Sequence, residues 1–127
     1  MKRILLLLLL CSTTLLMAQQ TDPIQEAMAS YDYETALSLI AQKKPATPLL
    51  LQKGKALRSL GLNAEALSTY QEIIGKDSTN TRALIEAAEC CRTLAKYKQA
   101  SAYYEKVLDL TPENKYVRIQ LSLIHIS

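Results

Sequence analysis

Residues 47–80 repeat as residues 81–114, and this period of 34 residues narrows the possible folds more than any single residue does. Laid over each other, the stretches pair Thr47 with Thr81, Leu50 with Leu84, Arg58 with Arg92, Leu60 with Leu94, Ala66 with Ala100, Tyr70 with Tyr104 and Asn80 with Asn114. Conservative matches lie between them: Leu51/Ile85, Gln52/Glu86, Gly54/Ala88, Ile73/Val107 and Ile74/Leu108. A period of this length marks a stacked helical array, whose units cannot bury their apolar faces alone and bury them against their neighbours.

The residues at the small and aromatic places make the likeness more specific. In the second stretch they read Leu84, Ala88, Cys91, Tyr97, Ala100, Tyr104, Val107 and Pro112; in the first, Leu50, Gly54, Leu57, Asn63, Ala66, Tyr70, Ile73 and Ser78. The pattern resembles the tetratricopeptide repeat, a helix-turn-helix unit. It departs from that family at Ile73 and Val107, where a second alanine is usual, and at Ser78, where proline is usual. An unrelated antiparallel helical bundle is the competing reading. The resemblance implies an all-α, right-handed superhelical solenoid of antiparallel helix pairs.

A worn copy precedes the clear ones. Residues 19–46 read as a degenerate first helical hairpin, with helices over 22–30 and 32–42, and Tyr33, Ala36 and Ile40 match Tyr97, Ala100 and Tyr104. Asp22 before Pro23 is a helix start, since the carboxylate caps free N–H groups and proline fits the first helical position. Ala36 to Ala66 is four residues short of the period, so the register slips in the Lys43–Pro48 linker. Gly61 is expected to stop one helix and Asn63 to cap the next. Residues 115–120 start a further repeat, and the expectation is seven helices or helix pieces after the leader, with no strand.

Residues 1–18 have the three parts of a signal peptide: Lys2-Arg3, the apolar run from Ile4, and Met17-Ala18 before Gln19-Gln20. Cleavage between Ala18 and Gln19 is expected. The alternatives are an uncleaved anchor and lipid attachment at Cys11, against which Leu10 stands where a small residue is wanted. The chain is thus read as an exported bacterial protein, periplasmic or in the cell envelope, with no membrane span in its mature part. The last seven residues, 121–127, match the in-frame translation of a sequencing-library adapter, so the chain is read as a truncated fragment; a natural apolar helix end is the other reading.

Function is sought among what remains. The formal charge is +3, two charges of which are Lys2 and Arg3, so the mature part carries about +1, which is no nucleic-acid footprint. His125 is the sole histidine, glycines are scattered, and the adjacent pair Cys90-Cys91 lacks the spacer of a metal or redox motif. No catalytic, cofactor-binding or metal site is expected, and Cys91 should face the partner helix. Glu86 and Glu89, three apart on one helix, read as a solvated face.

The resemblance implies a concave groove lined by the first helix of each pair. Carried over residue by residue, it places Leu51, Lys55 and Arg58 there, then Arg82, Ile85, Glu89 and Arg92, then Tyr116 and Ile119. Arg58 and Arg92, equivalent by the repeat, would offer guanidinium groups to carboxylates; pairing with Glu86 or Glu89 is the alternative for both. The family's asparagines that clamp a chaperone's terminal carboxylate are absent. The expected function is a non-catalytic scaffold binding a protein or peptide partner. A sensor region of a larger signalling protein and an accessory array in front of an enzyme domain are the other readings.

Overall fold

The computed structural model describes residues 21–126, with side chains to residue 125. The expected signal peptide, its Ala18–Gln19 cleavage site and Cys11 lie outside the described residues. Seven helices and no strand occur among those described: α1 Pro23–Ala29, α2 Tyr33–Ala41, α3 Thr47–Ser59, α4 Asn63–Lys76, α5 Thr81–Thr93, α6 Tyr97–Leu110 and α7 Lys115–Ile126. Each packs chiefly on the helix before and the helix after it, the arrangement of a solenoid rather than of a closed bundle.

The helix starts follow local chemistry. Asp22 Oδ1 accepts from the Ile24 N–H at 3.0 Å, with Pro23 in the first turn. Asn80 and Asn114, one period apart, accept from the Ala83 and Val117 N–H groups at 3.0 and 3.1 Å. Asn63 departs from expectation. It is the first residue of α4 and donates to the Gly61 carbonyl at 3.3 Å, while the cap position falls on Leu62, which has no side-chain acceptor. The tight turn ahead of it sets this position and leaves the cap no room one residue later.

That turn is the same in all three hairpins. Tyr31, Gly61 and Ala95 have φ of 61°, 78° and 59°, and Asp32, Leu62 and Lys96 donate back to the carbonyls of Ala27, Leu57 and Cys91. This six-to-one bond across a left-handed residue closes the helix by satisfying a carbonyl that would otherwise lack a partner. Glycine suits it by lacking Cβ; Tyr31 and Ala95 adopt it nonetheless.

Alanines mark where the paired helices cross. Ala36, Ala66 and Ala100 are each fully buried, at spacings of 30 and then 34 residues, as the four-residue slip requires. Around them the core falls into two clusters: one holds Leu50, Leu57, Tyr70, Ile73, Ala87 and Cys91, the other Leu84, Ala88, Tyr104, Val107 and Val117. Leu121 and Ile124 pack partly against the second. α7 differs on its outer side. Where α3 and α5 turn Leu50, Gly54, Leu57 and Leu84, Ala88, Cys91 onto the second helix of their pair, α7 has Arg118, Ser122 and His125, all exposed. Among the described residues no helix is long and apolar enough to cross a membrane.

Candidate partner-binding groove

Three first helices, α1, α3 and α5, share a face that holds two open clefts. One, of about 330 Å³, is lined by Leu51, Lys55, Arg58, Tyr70, Arg82 and Glu86. The other, of about 640 Å³, runs from Asp22, Gln25 and Met28 across Pro48 and Gln52. Leu51, Lys55 and Arg82 line both, so the two form one depression with these residues at its centre.

The arginines at the edge are committed to neighbours. Arg58 forms an ion pair with Glu86, about a third of each side chain being exposed. One period on, Arg92 Nη1 donates to Gln120 Oε1 at 2.5 Å, and Gln120 is the repeat counterpart of Glu86. The two contacts are therefore one contact made twice: an arginine near the end of a first helix reaches the residue 28 positions later on the next first helix. Burial works against the Arg58 charge. Its bond to the Glu86 carboxylate, with the field of that group, outweighs this and holds the pKa above the ordinary guanidinium value. Of the two readings open from sequence, internal pairing is the one these side chains adopt.

Glu86 and Glu89 are not the solvated face expected of them. Glu89 is only 16 % exposed: Oε1 accepts from the Tyr104 and Tyr116 hydroxyls at 2.6 Å each, and Oε2 from Arg92 at 3.1 Å. It joins α5, α6 and α7. Helical spacing places it on the polar side of α5, but the phenols arrive from other helices, and periodicity along one helix carries no trace of them. Burial first, and then the bond to Glu89, pushes the Tyr104 phenol up; for Tyr116 the bond to Glu89 is the larger cause.

Lys55 and Arg82 differ from these. Both are exposed, and among the described residues neither enters an ion pair. The five charged residues expected in the groove thus separate into a bonded set, Arg58, Arg92 and Glu89, and a free pair, Lys55 and Arg82. The buried Tyr70, which sequence reasoning left out of the site, forms the wall beside them. Its phenol is raised by burial and by the Glu86 and Cys90 fields, with Arg58 and Arg82 opposing.

Behind this wall, Cys90 and Cys91 are free thiols, and both are fully buried, as two small packed apolar residues. Burial pushes the Cys90 thiol up to about 11, so it is a neutral, inert packing group at neutral pH. No cluster of three His, Cys, Asp or Glu side chains able to hold a metal occurs among the described residues.

With the geometry in place, likeness to known proteins is informative. Residues 81–114 match the family model of the tetratricopeptide repeat. The Arabidopsis OM64 TPR domain is 17% identical with a TM-score of 0.73, over 82% of this chain and 89% of that one. The first TPR of Spaghetti (RPAP3), bound to the HSP90 peptide SRMEEVD, is 22% identical with a TM-score of 0.73, over 81% and 85%. The Yersinia enterocolitica type III secretion chaperone SycD, in complex with a peptide of the translocator YopD, is 18% identical with a TM-score of 0.74, over 81% and 87%. At these identities the shared property is the fold.

Proposed function

We propose, on the premise that this chain carries a tetratricopeptide repeat at 81–114 and has the fold of tetratricopeptide-repeat domains, that it is a non-catalytic module holding an acidic peptide or protein segment in the groove around Lys55 and Arg82. Two of the similar structures hold peptides, which supports a binding role. The observation that carries the reading is the free cation pair at the centre of an open depression, next to Arg58, whose charge Glu86 already neutralises. A carboxylate arriving there finds donors whose pairing displaces no internal partner, whereas Arg58 and Arg92 would first have to leave theirs. The leader-like residues 1–18 support an exported protein working in the cell envelope. The small net charge of the remainder argues against nucleic acid as the ligand.

The test is a titration with one short peptide rich in aspartate and glutamate, prepared with a free and with an amidated C-terminus. The double variant Lys55→Ala/Arg82→Ala should bind about tenfold more weakly, consistent with about 1.4 kcal/mol from charge-assisted contacts, with its helical signal unchanged. Added salt should weaken the parent interaction more than that of the variant. Equal affinity of parent and variant would refute the assignment, and loss on amidation alone would identify the terminal carboxylate as the recognised group.

A further inference from the structure

The first hairpin breaks the pattern of the other two, and the break leaves a second cleft. Aligned on Ala36, Ala66 and Ala100, residues 43 and 44 fall where the later repeats have Ile73-Ile74 and Val107-Leu108. Ile73 and Val107 are fully buried; their counterpart is Lys43, exposed beyond the end of α2. α2 has 9 residues where α4 and α6 have 14. Helix is therefore missing over roughly 7 Å at 1.5 Å per residue. Beside this gap lies a cleft of about 460 Å³ between α2, α3 and α4, its apolar side formed by the half-buried Leu37 and Leu49 over the buried Ile40 and Leu57. It shares only Leu49 with the residues lining the groove around Lys55 and Arg82.

We propose that this cleft is a separate docking site, and that its occupant is a partner segment with aliphatic side chains flanked by carboxylates. The floor dictates the aliphatic part: Ala83 and Val117, the counterparts of Leu49, share buried clusters with Ile73 and Val107, and an apolar side chain at Leu49 and Leu37 removes the same kind of area from water. The rim dictates the flanks. Lys43, Lys44 and Lys53 line the cleft with one carboxylate, Glu65, Glu72 lying in the adjoining depression beside Lys53, and among the described residues none of the three lysines enters an ion pair. The excess of positive charge at the rim favours an acidic segment and disfavours a basic one. A phosphate backbone would satisfy the lysines but leave the leucine floor wet.

The experiment uses the full chain, labelled with nitrogen-15, and a hexapeptide blocked at both ends, two aspartates on either side of Ile-Leu. Blocking the ends leaves only side-chain carboxylates, and any share of the peptide held by the groove is read separately, as shifts at Lys55 and Arg82. Amide shifts should cluster at Lys43, Leu49, Lys53 and Leu57. Lys43→Glu/Lys44→Glu should weaken the interaction about tenfold, as should replacing the aspartates by lysine. Lys55→Ala/Arg82→Ala should leave the shifts at the cleft unchanged while removing any at the groove. Absence of shifts up to about 1 mM peptide would overturn the proposal, as would shifts confined to Lys55 and Arg82, which place the peptide in the groove. Self-association abolished by Lys43→Glu/Lys44→Glu would also overturn it, since the cleft then serves a second copy of the chain.

Discussion

Lys55 and Glu89 occupy the same place in consecutive repeats, and the surfaces around them differ accordingly. At Glu89 a carboxylate gathers two phenols and a guanidinium, so three helices close over it and little is left to bind anything else. At Lys55 an ammonium cannot accept from Tyr70, the counterpart of Tyr104, and the surface opens into a cleft with Arg82 across it. The backbones match while the chemistry is reversed by one position. In this chain, the exchange of Glu89 for Lys55 at one repeat position goes with the change from a closed surface to an open cleft. Gly54 and Ala88 show a second difference: a Cβ at Gly54 would stand 2.6 Å from Tyr70 Cε1 and 2.8 Å from its Oη, so the ring lies directly on the helix backbone.

The equivalence of the two repeats is most severely tested at their alanines. Ala66→Leu and Ala100→Leu should each destabilise by about 1–3 kcal/mol, since the added atoms force apart helices packed around a fully buried methyl group. For a domain of this size that is a loss of roughly 5–15 °C in Tm by calorimetry. Leucine at the neighbouring exposed Gln99 should cost within about 0.5 kcal/mol. A large effect at one alanine and none at the other would break the comparison.

A smaller effect should separate the repeats. Tyr104→Phe removes a hydroxyl that donates to the largely buried Glu89 carboxylate and should cost about 1–2 kcal/mol. Tyr70→Phe removes a hydroxyl at the wall of an open cleft, where water can take its place, and should cost within about 0.5 kcal/mol. Urea denaturation of both variants measures the difference. Equal losses would mean that the Glu89 network contributes nothing beyond packing.

How far this difference could be read from the chain depends on whether it repeats. The helices, the buried alanines and the register slip all leave marks at fixed spacing, and the structure returns them at the expected places. The groove was legible in its residue types, and Lys55, Arg58 and Arg82 do line one cleft. The division into free and bonded members was not, because it depends on Tyr104 and Tyr116 reaching Glu89 from 15 and 27 residues away. A signal for the arginines was available: Gln52, Glu86 and Gln120 recur at the period, as Arg58 and Arg92 do, and together they imply a contact across 28 residues. The cleft beside Lys43 was hidden for the opposite reason. A register slip shows that residues are missing without showing which apolar surface they leave bare.

The turns between paired helices should give the smallest effect, and one of opposite sign in the two repeats. Gly61 and Ala95 hold the same left-handed conformation, φ 78° and 59°, and the same back-bonds, so the backbone there is a constant and the side chain the only variable. A Cβ in this region crowds the following carbonyl at a cost of about 1–2 kcal/mol, while glycine loses about 0.5–1 kcal/mol more chain entropy on folding. The first effect is the larger. Ala95→Gly should therefore stabilise the protein by about 0.5–1 kcal/mol, and Gly61→Ala should destabilise it by about the same amount, the space around Gly61 being open so that conformation alone decides. The double variant, with the two residues exchanged between the repeats, should have nearly the parent Tm, because two equivalent turns would have traded one cost. A Tm well below the parent in the exchanged chain would show that the turns are alike in geometry but not in energy, and that the equivalence of the repeats stops at the backbone.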